Sequence, residues 1–496
     1  MRNHPTVVLV AVLLSTVTLP ISLTGASVAL PDIGADLGAG LAPVQWVVNG
    51  YNATFASCML AAGALADLLG RRRVFAVGVA TFVVAGLASA LADDIVLLDV
   101  VRAVAGIGAA AAGTAASALL AGAFSGPART RVFGLFGTAI GAGLAFGPSI
   151  AGLLIEAFDW RAVFAGPALV GLLVLGLVPL LPPDRQARAV EAGSGAARAV
   201  GAGAGDAGAG GAGVAGGGRR IDWAGAASFT AALLLLIFGF VEGPALGWAD
   251  PVIVVAFAGS AVLLGVFVLV ERRHPEPMFD LGLLASPRFL GICLAAGVIV
   301  TVLVPLLVYL PSYFTGVLRW GPGRAGATLI LLTAPTLVLP LLGAVLSRLL
   351  SATAVIVASV ALVGAGAAWL TVLGPGSGPG GLAGPLLTMG AGIGLSIGLL
   401  DGLAVGSVAP ARAGTAAGMI NTARLASETI AIAVVGSVLA TTTCGRLADP
   451  GFTAGLHTVL WSLAGLAGVA VFATAVLLRR GTSAVDRMAH DGVTVD

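Results

Sequence analysis

Residues 63–75 read Gly63-Ala-Leu-Ala-Asp67-Leu-Leu-Gly70-Arg71-Arg72-Arg73-Val-Phe75, and the rest of the chain is organised around them. Long apolar segments flank the stretch on both sides. Gly63, four residues before Asp67, offers a side-chain-free spot where two helices can come close. Gly70 can turn the chain, because glycine reaches backbone conformations closed to other residues. Three consecutive arginines beside membrane-type segments mark a cytoplasmic loop. The expectation is a short charged hinge joining two spans on the inner side of a bilayer.

Composition supports that setting. Hydrophobic residues make up 58% of the 496 and charged residues only 10%, with a mean hydropathy of +1.05, too apolar for a water-soluble chain of this length. The net charge of +2 comes from arginines in short clusters, not along one basic face, so no nucleic-acid partner is expected. Cys58, Cys293 and Cys444 are far apart and odd in number, which points to neither a disulfide framework nor a metal site. No phosphate-binding loop or metal-spaced His or Cys cluster occurs, so no enzyme activity, cofactor or metal is expected.

A helix crosses the hydrocarbon with roughly 20 apolar residues, and about fourteen segments qualify: 6–30, 44–66, 74–92, 97–122, 131–155, 162–181, 222–242, 251–271, 289–314, 324–347, 352–373, 382–406, 414–440 and 457–479. Arg2 and the Ala26–Ala29 run imitate a secretory signal, but the apolar run is too long and further spans follow. With the N-terminus inside, most arginines fall in inner loops, while Asp32, Asp36, Asp93, Asp94, Asp159, Glu242 and Asp250 fall outside. Both termini are then cytoplasmic.

The expected organisation is a six-helix bundle over 1–185, a Gly/Ala-rich flexible cytoplasmic linker over 186–220, and two additional helices over 221–273. A second six-helix bundle covers 274–480, followed by a cytoplasmic tail over 481–496. Gly343-Ala-Val-Leu-Ser-Arg348 echoes the Gly63 stretch with serine in place of Asp67, as parallel halves would.

The pattern G-x-L-A-D-x-x-G-R-R over Gly63, Asp67, Gly70, Arg71 and Arg72 resembles the signature loop of the major facilitator superfamily, in which the aspartate latches the cytoplasmic gate. Six, two and six helices resemble its fourteen-span drug:proton antiporter branch. Arg102 with Gly106-Ile-Gly108 resembles that family's R-x-x-x-G-x-G stretch, whose arginine is tied to proton movement; Ala105 stands where glutamine is usual. An arginine inside a span costs roughly 2.5–3.5 kcal/mol on insertion scales, so it either faces a polar cavity or snorkels to the nearby interface. Gly143, Gly147, Pro148 and Gly152 resemble the antiporter motif G-x-x-x-G-P-x-x-G-G, with Ala151 in place of its penultimate glycine. Ordinary close helix packing would use the same small residues. Trp160-Arg161 is similar to the family's turn into the sixth span.

Two departures bear on mechanism. Ser22 and Ser27 stand where the pattern L-D-x-T-I-V-N-V-A-L-P has its aspartate and asparagine, so a first-span acid cannot carry protons here. Gly414–Arg424 resembles G-x-x-S-G-x-x-N-T-x-R, and Glu428 lies one turn beyond Arg424 where relatives tend to have glycine. Spacing puts Arg424 and Glu428 on one helix face deep in the thirteenth span, either as a neutralised structural pair or as a titrating site, while Asp401 lies near the cytoplasmic end of the twelfth. The resemblance implies a multi-pass protein of a bacterial cytoplasmic membrane whose partners are lipid, protons and a hydrophobic small molecule, an antibiotic or secondary metabolite exported for self-resistance. The alternatives are a transporter of a lipid precursor or amino acid, and a sensor that keeps the fold without transport.

Overall fold

The computed structural model describes residues 5–124, 126–181, 223–274, 281–408, 413–443 and 451–491. The Gly/Ala-rich interval expected as a linker, Cys444 and the last five residues lie outside them. Short helical turns aside, the described chain forms fifteen helices: α1 Pro5–Asp36, α2 Leu41–Leu69, α3 Arg71–Ala90, α4 Ile95–Ala123, α5 Gly126–Ala157, α6 Ala162–Leu177, α7 Trp223–Leu246, α8 Pro251–Arg273, α9 Pro287–Gly316, α10 Pro322–Thr333, α11 Pro335–Leu349, α12 Ala352–Trp369, α13 Pro379–Gly406, α14 Ala413–Thr442 and α15 Gly451–Asp491. Helices are what apolar sequence must form in lipid, because every backbone group is then bonded within its own segment.

Local chemistry sets the ends. Asp94 caps α4 by accepting from the Val96 and Leu97 amides, and Asp250 caps α8 by accepting from Val252. Gly70 joins α2 to α3 at φ +100°, which makes the expected turn in that stretch a real glycine requirement. α10 and α11 form one span interrupted at Ala334–Pro335, where proline removes a helix donor.

Thirteen of the described helical spans are long and apolar enough to cross a membrane. The expected fourteenth, α2, contains residues 60, 64 and 67, whose side chains are outside the described ones, so it is not among those thirteen. It is nonetheless a 29-residue helix, long enough at about 1.5 Å per residue to match its neighbours.

Packing repeats between the halves. α1 packs on α5 and α6, α2 and α3 on α4, and α3 on α6; in the same pattern α9 packs on α14 and α15, α11 and α12 on α13, and α12 on α15. Two seams join the halves in equivalent fashion, α5 on α10 and α14 on α2. α7 lies against α2 and α14, where Leu233, Ile237 and Val241 bury against Ala53, Ala56 and Ala433. α8 packs chiefly on α7, and its outward Val255 and Val262 are exposed, as lipid-facing residues are.

The bundle has two unlike ends. One, the arginine end, carries the Gly70–Arg73 turn and Arg272, Arg273 and Arg348; the acidic end carries Asp36, Asp93, Asp94, Asp159 and Asp250.

Candidate functional site

In the first half the functional side chains converge on Arg102, two turns into α4. Its guanidinium is 1% exposed. Nε donates to the Val47 carbonyl (3.1 Å), Nη1 to the Ser22 hydroxyl (3.0 Å) and Nη2 to the Ser22 carbonyl (3.4 Å). It also lies over the rings of Tyr51 and Phe164, at 4.4 and 5.2 Å from their centroids. Arg102 therefore neither faces an open cavity nor snorkels to the interface. Helices α1, α2, α4 and α6 enclose it, and the serine found in place of a first-span acid is its hydrogen-bond acceptor. Asp99, one turn earlier on α4, is the nearest acid on that helix, and its Oδ1 is buried without a partner among the described residues.

In the second half Arg424 of α14 forms an ion pair with Asp401 of α13 at 2.7 Å. Helical spacing makes an Arg424–Glu428 contact available, but the ion pair that Arg424 forms is with the carboxylate of the facing helix. Asp401 is about half exposed and Arg424 is 18% exposed, so this pair meets water, whereas Glu428 one turn deeper is buried. Glu428 lies on α14, the helix that packs on α2 of the first half. Glu428 therefore sits near the boundary between the halves.

The α5 motif glycines make close approaches. A Cβ at Gly143 would lie 2.6 Å from the Val17 carbonyl, and one at Gly147 or Gly152 would collide with the Thr24 hydroxyl or the Pro322 carbonyl respectively. The first two press α5 on α1 and the third presses it on α10 of the other half, where the Pro148 carbonyl likewise faces Gly326. Gly134 and Gly137, nearer the arginine end, have nothing within 4 Å.

That gradient runs through the whole molecule. Between the halves, Ser27 donates to the Leu307 carbonyl, Ser149 to Gly326, Thr333 to Ala145, and the Gly323 amide to Glu156, all toward the acidic end. Toward the arginine end Gly398, Gly402 and Gly418 meet nothing within 4 Å, and Leu135, Val338, Leu342 and Val345 are exposed. Among the described residues, the hydrogen bonds between the halves lie toward the acidic end, which marks that end as the closed one.

The hinge at 63–75 fits this state. Arg71 donates to the Ala118 carbonyl (3.0 Å) and Arg72 to Pro179 (3.3 Å), placing cations at the C-terminal ends of the first half's helices. Gly63, where a close approach is expected, has nothing within 4 Å of a Cβ among the described residues. Asp67 lies on the last turn of α2, and its side chain is outside the described ones.

Sequence reasoning missed Asp99 and the amides of α2. Gln45, Asn49 and Asn52, at spacings of four and three, share one helix face in an otherwise apolar segment, and that periodicity was a usable signal. Among the described residues no group of three His, Cys, Asp or Glu is placed to hold a metal ion.

The sequence profile of the Major Facilitator Superfamily matches residues 12–432. A puromycin resistance protein of Streptomyces alboniger is 32% identical over 95% of this chain and 88% of its own. A tetracenomycin C resistance and export protein of Streptomyces glaucescens is 29% identical over 89% and 77% respectively. Among solved structures, a bacterial homologue of the human lysosomal transporter Spinster, inward-facing and unoccupied, superposes with a TM-score of 0.65 at 15% identity, over 97% of this chain and 98% of that one.

Proposed function

The chain belongs to the major facilitator superfamily, and from that premise we propose that it is an efflux transporter that moves antibiotic-type small molecules out of a bacterial cell, driven by protons. It is a multi-pass membrane protein of a transporter family, and the fold is that of transporters. The observation that carries the reading is the asymmetry of closure: two halves sealed at one end and parted at the other form one state of an alternating-access carrier. The export direction draws on the relatives, whose names specify resistance and export.

In this reading the arginine end is cytoplasmic, both termini lie there, and the state is inward-open. Six helices before residue 186 and six after residue 273 rock about the seams, and α7 and α8 flank them. Asp67 latches the arginine end when it closes, and Glu428, with Arg424 and Asp401, couples protons to that motion. Losing one charge-assisted hydrogen bond is worth roughly 1.5–3 kcal/mol, so Asp67→Asn is expected to slow turnover about tenfold while substrate affinity stays nearly constant. Unchanged turnover at equal expression would remove Asp67 from the gate.

Efflux of puromycin from proteoliposomes under an imposed pH gradient tests the main reading. Gradient-dependent transport is expected. Transport of a lipid precursor or amino acid in its place would change the substrate class, and movement of no solute at all would favour a sensor.

A further inference from the structure

The acidic end is sealed along two seams that the internal repeat makes equivalent, yet the two are built differently. Where α5 meets α10, the polar groups bond across the contact: Ser149 to the Gly326 carbonyl (2.9 Å), Thr333 to Ala145 (3.1 Å) and the Gly323 amide to the Glu156 carboxylate (2.9 Å). Where α2 meets α14, the contact includes Gln45, which shares one helix face with Asn49 and Asn52. Gln45 Nε2 donates to the Gly436 carbonyl (3.1 Å), and a Cβ at Gly436 would touch that same amide. On adjoining turns Ala53 and Ala56 pack with Ala433.

Asn49 is 0% and Asn52 1% exposed. All four of their amide atoms, and Gln45 Oε1, have no partner among the described residues. A buried amide without partners is costly in any seam and more so in a bilayer. Leucine would fill the same space without that cost, so these amides do not serve the sealed state.

We propose that Gln45, Asn49 and Asn52 form a hydrogen-bonding subsite for the exported molecule, hidden in this state and uncovered when the α2–α14 seam parts. This rests on the transport reading given above. Each amide offers one acceptor oxygen and two N–H donors. The ligand is therefore a molecule rich in carbonyl, hydroxyl or amide groups, not a bare lipophilic cation. A site built to hydrogen-bond such groups discriminates against ligands that lack them by as much as roughly 10⁴-fold. The amides also bias the conformational equilibrium: burying them disfavours the sealed seam, and the parted seam gives them to substrate and water.

The test uses the full chain, purified and reconstituted, with the paired substitution Asn49→Leu and Asn52→Leu. Two probes are compared, puromycin, which carries an amide and hydroxyls, and tetraphenylphosphonium, which carries no such groups. Expected are an unchanged or higher melting temperature, puromycin binding and efflux at least about tenfold weaker, and tetraphenylphosphonium binding within about twofold of wild type. The Asn49→Ser and Asn52→Ser pair is expected to recover part of the puromycin binding.

A melting temperature lowered by more than about 5 °C would mean that the amides hold the seam together, and would overturn the proposal. So would unchanged puromycin binding in the leucine pair, or a wild type that binds puromycin no better than tetraphenylphosphonium. A wild type that binds puromycin but does not move it would sink the efflux reading alone, since binding and melting still decide the role of the amides.

Discussion

Two arginines lie within spans in pseudo-equivalent halves, and they are held in opposite ways. Arg102 is enclosed, with a serine hydroxyl, two carbonyls and two ring faces around it. Arg424 is partly wet and bridges to an acid on the facing helix at 2.7 Å. The first cation gives its three hydrogen bonds to neutral acceptors, and none of them is to Asp99, the acid one turn earlier on its helix. The second is held by a carboxylate that water reaches, with another carboxylate, Glu428, one turn away. The difference assigns rigidity to the first half and responsiveness to the second.

Arg102→Ala is the harshest test of that contrast. It removes three charge-assisted hydrogen bonds and leaves a void beneath Tyr51 and Phe164. Relief of desolvation offsets part of the loss, leaving about 3 kcal/mol. The melting temperature of the purified protein is expected to drop sharply and transport to fall with it. A variant that melts normally but no longer couples transport to protons would move Arg102 out of the rigid class.

Glu428→Gln comes next. The change keeps the side-chain volume and removes only the charge, so folding and substrate binding are expected to persist while pH-driven efflux falls to background. Counterflow exchange, which needs no gradient, separates the outcomes. If both exchange and gradient-driven efflux remain at wild-type rates, Glu428 is structural and the contrast between the halves fails on the responsive side.

The fold was legible because it is written in long-range patterns: apolar segments of bilayer length, arginines grouped at alternate loops and the Gly63–Arg73 stretch. Side-chain partners were not legible to the same degree. Local spacing favoured Arg424 with Glu428, since i,i+4 neighbours on a helix always lie within reach. The partner that won, Asp401, is on another helix, and the packing of α13 on α14 is a tertiary fact that no periodicity encodes. Arg102 and Ser22, eighty residues apart, illustrate the same limit. The serine was noticed as a missing acid, but only the fold shows that it accepts from the buried cation.

Asp401→Asn is expected to have a smaller effect than either change above. An ion pair with one member half in water contributes about 0–1 kcal/mol, so efflux is expected to fall no more than about fivefold. If this variant abolishes gradient-driven efflux while Glu428→Gln does not, the coupling carboxylate is Asp401 and the roles of the two acids exchange.

The smallest expected effect, and the sharpest use of the comparison, is Ser22→Asp. It sets a carboxylate against Arg102 within reach of the contact now made by the serine hydroxyl. Forming a buried ion pair gains Coulomb energy but desolvates the new charge, and the two nearly cancel. The melting temperature is therefore expected to move by only a few degrees, and efflux in the otherwise wild-type chain to stay within about twofold. The informative experiment places Ser22→Asp in the Glu428→Gln background. If the first half is a rigid frame because no carboxylate is bonded to Arg102, adding one at position 22 should return part of the gradient-driven efflux. If efflux stays at background although the double variant melts normally, the first half is rigid for reasons of packing, with the rings of Tyr51 and Phe164 holding Arg102 whatever stands at position 22.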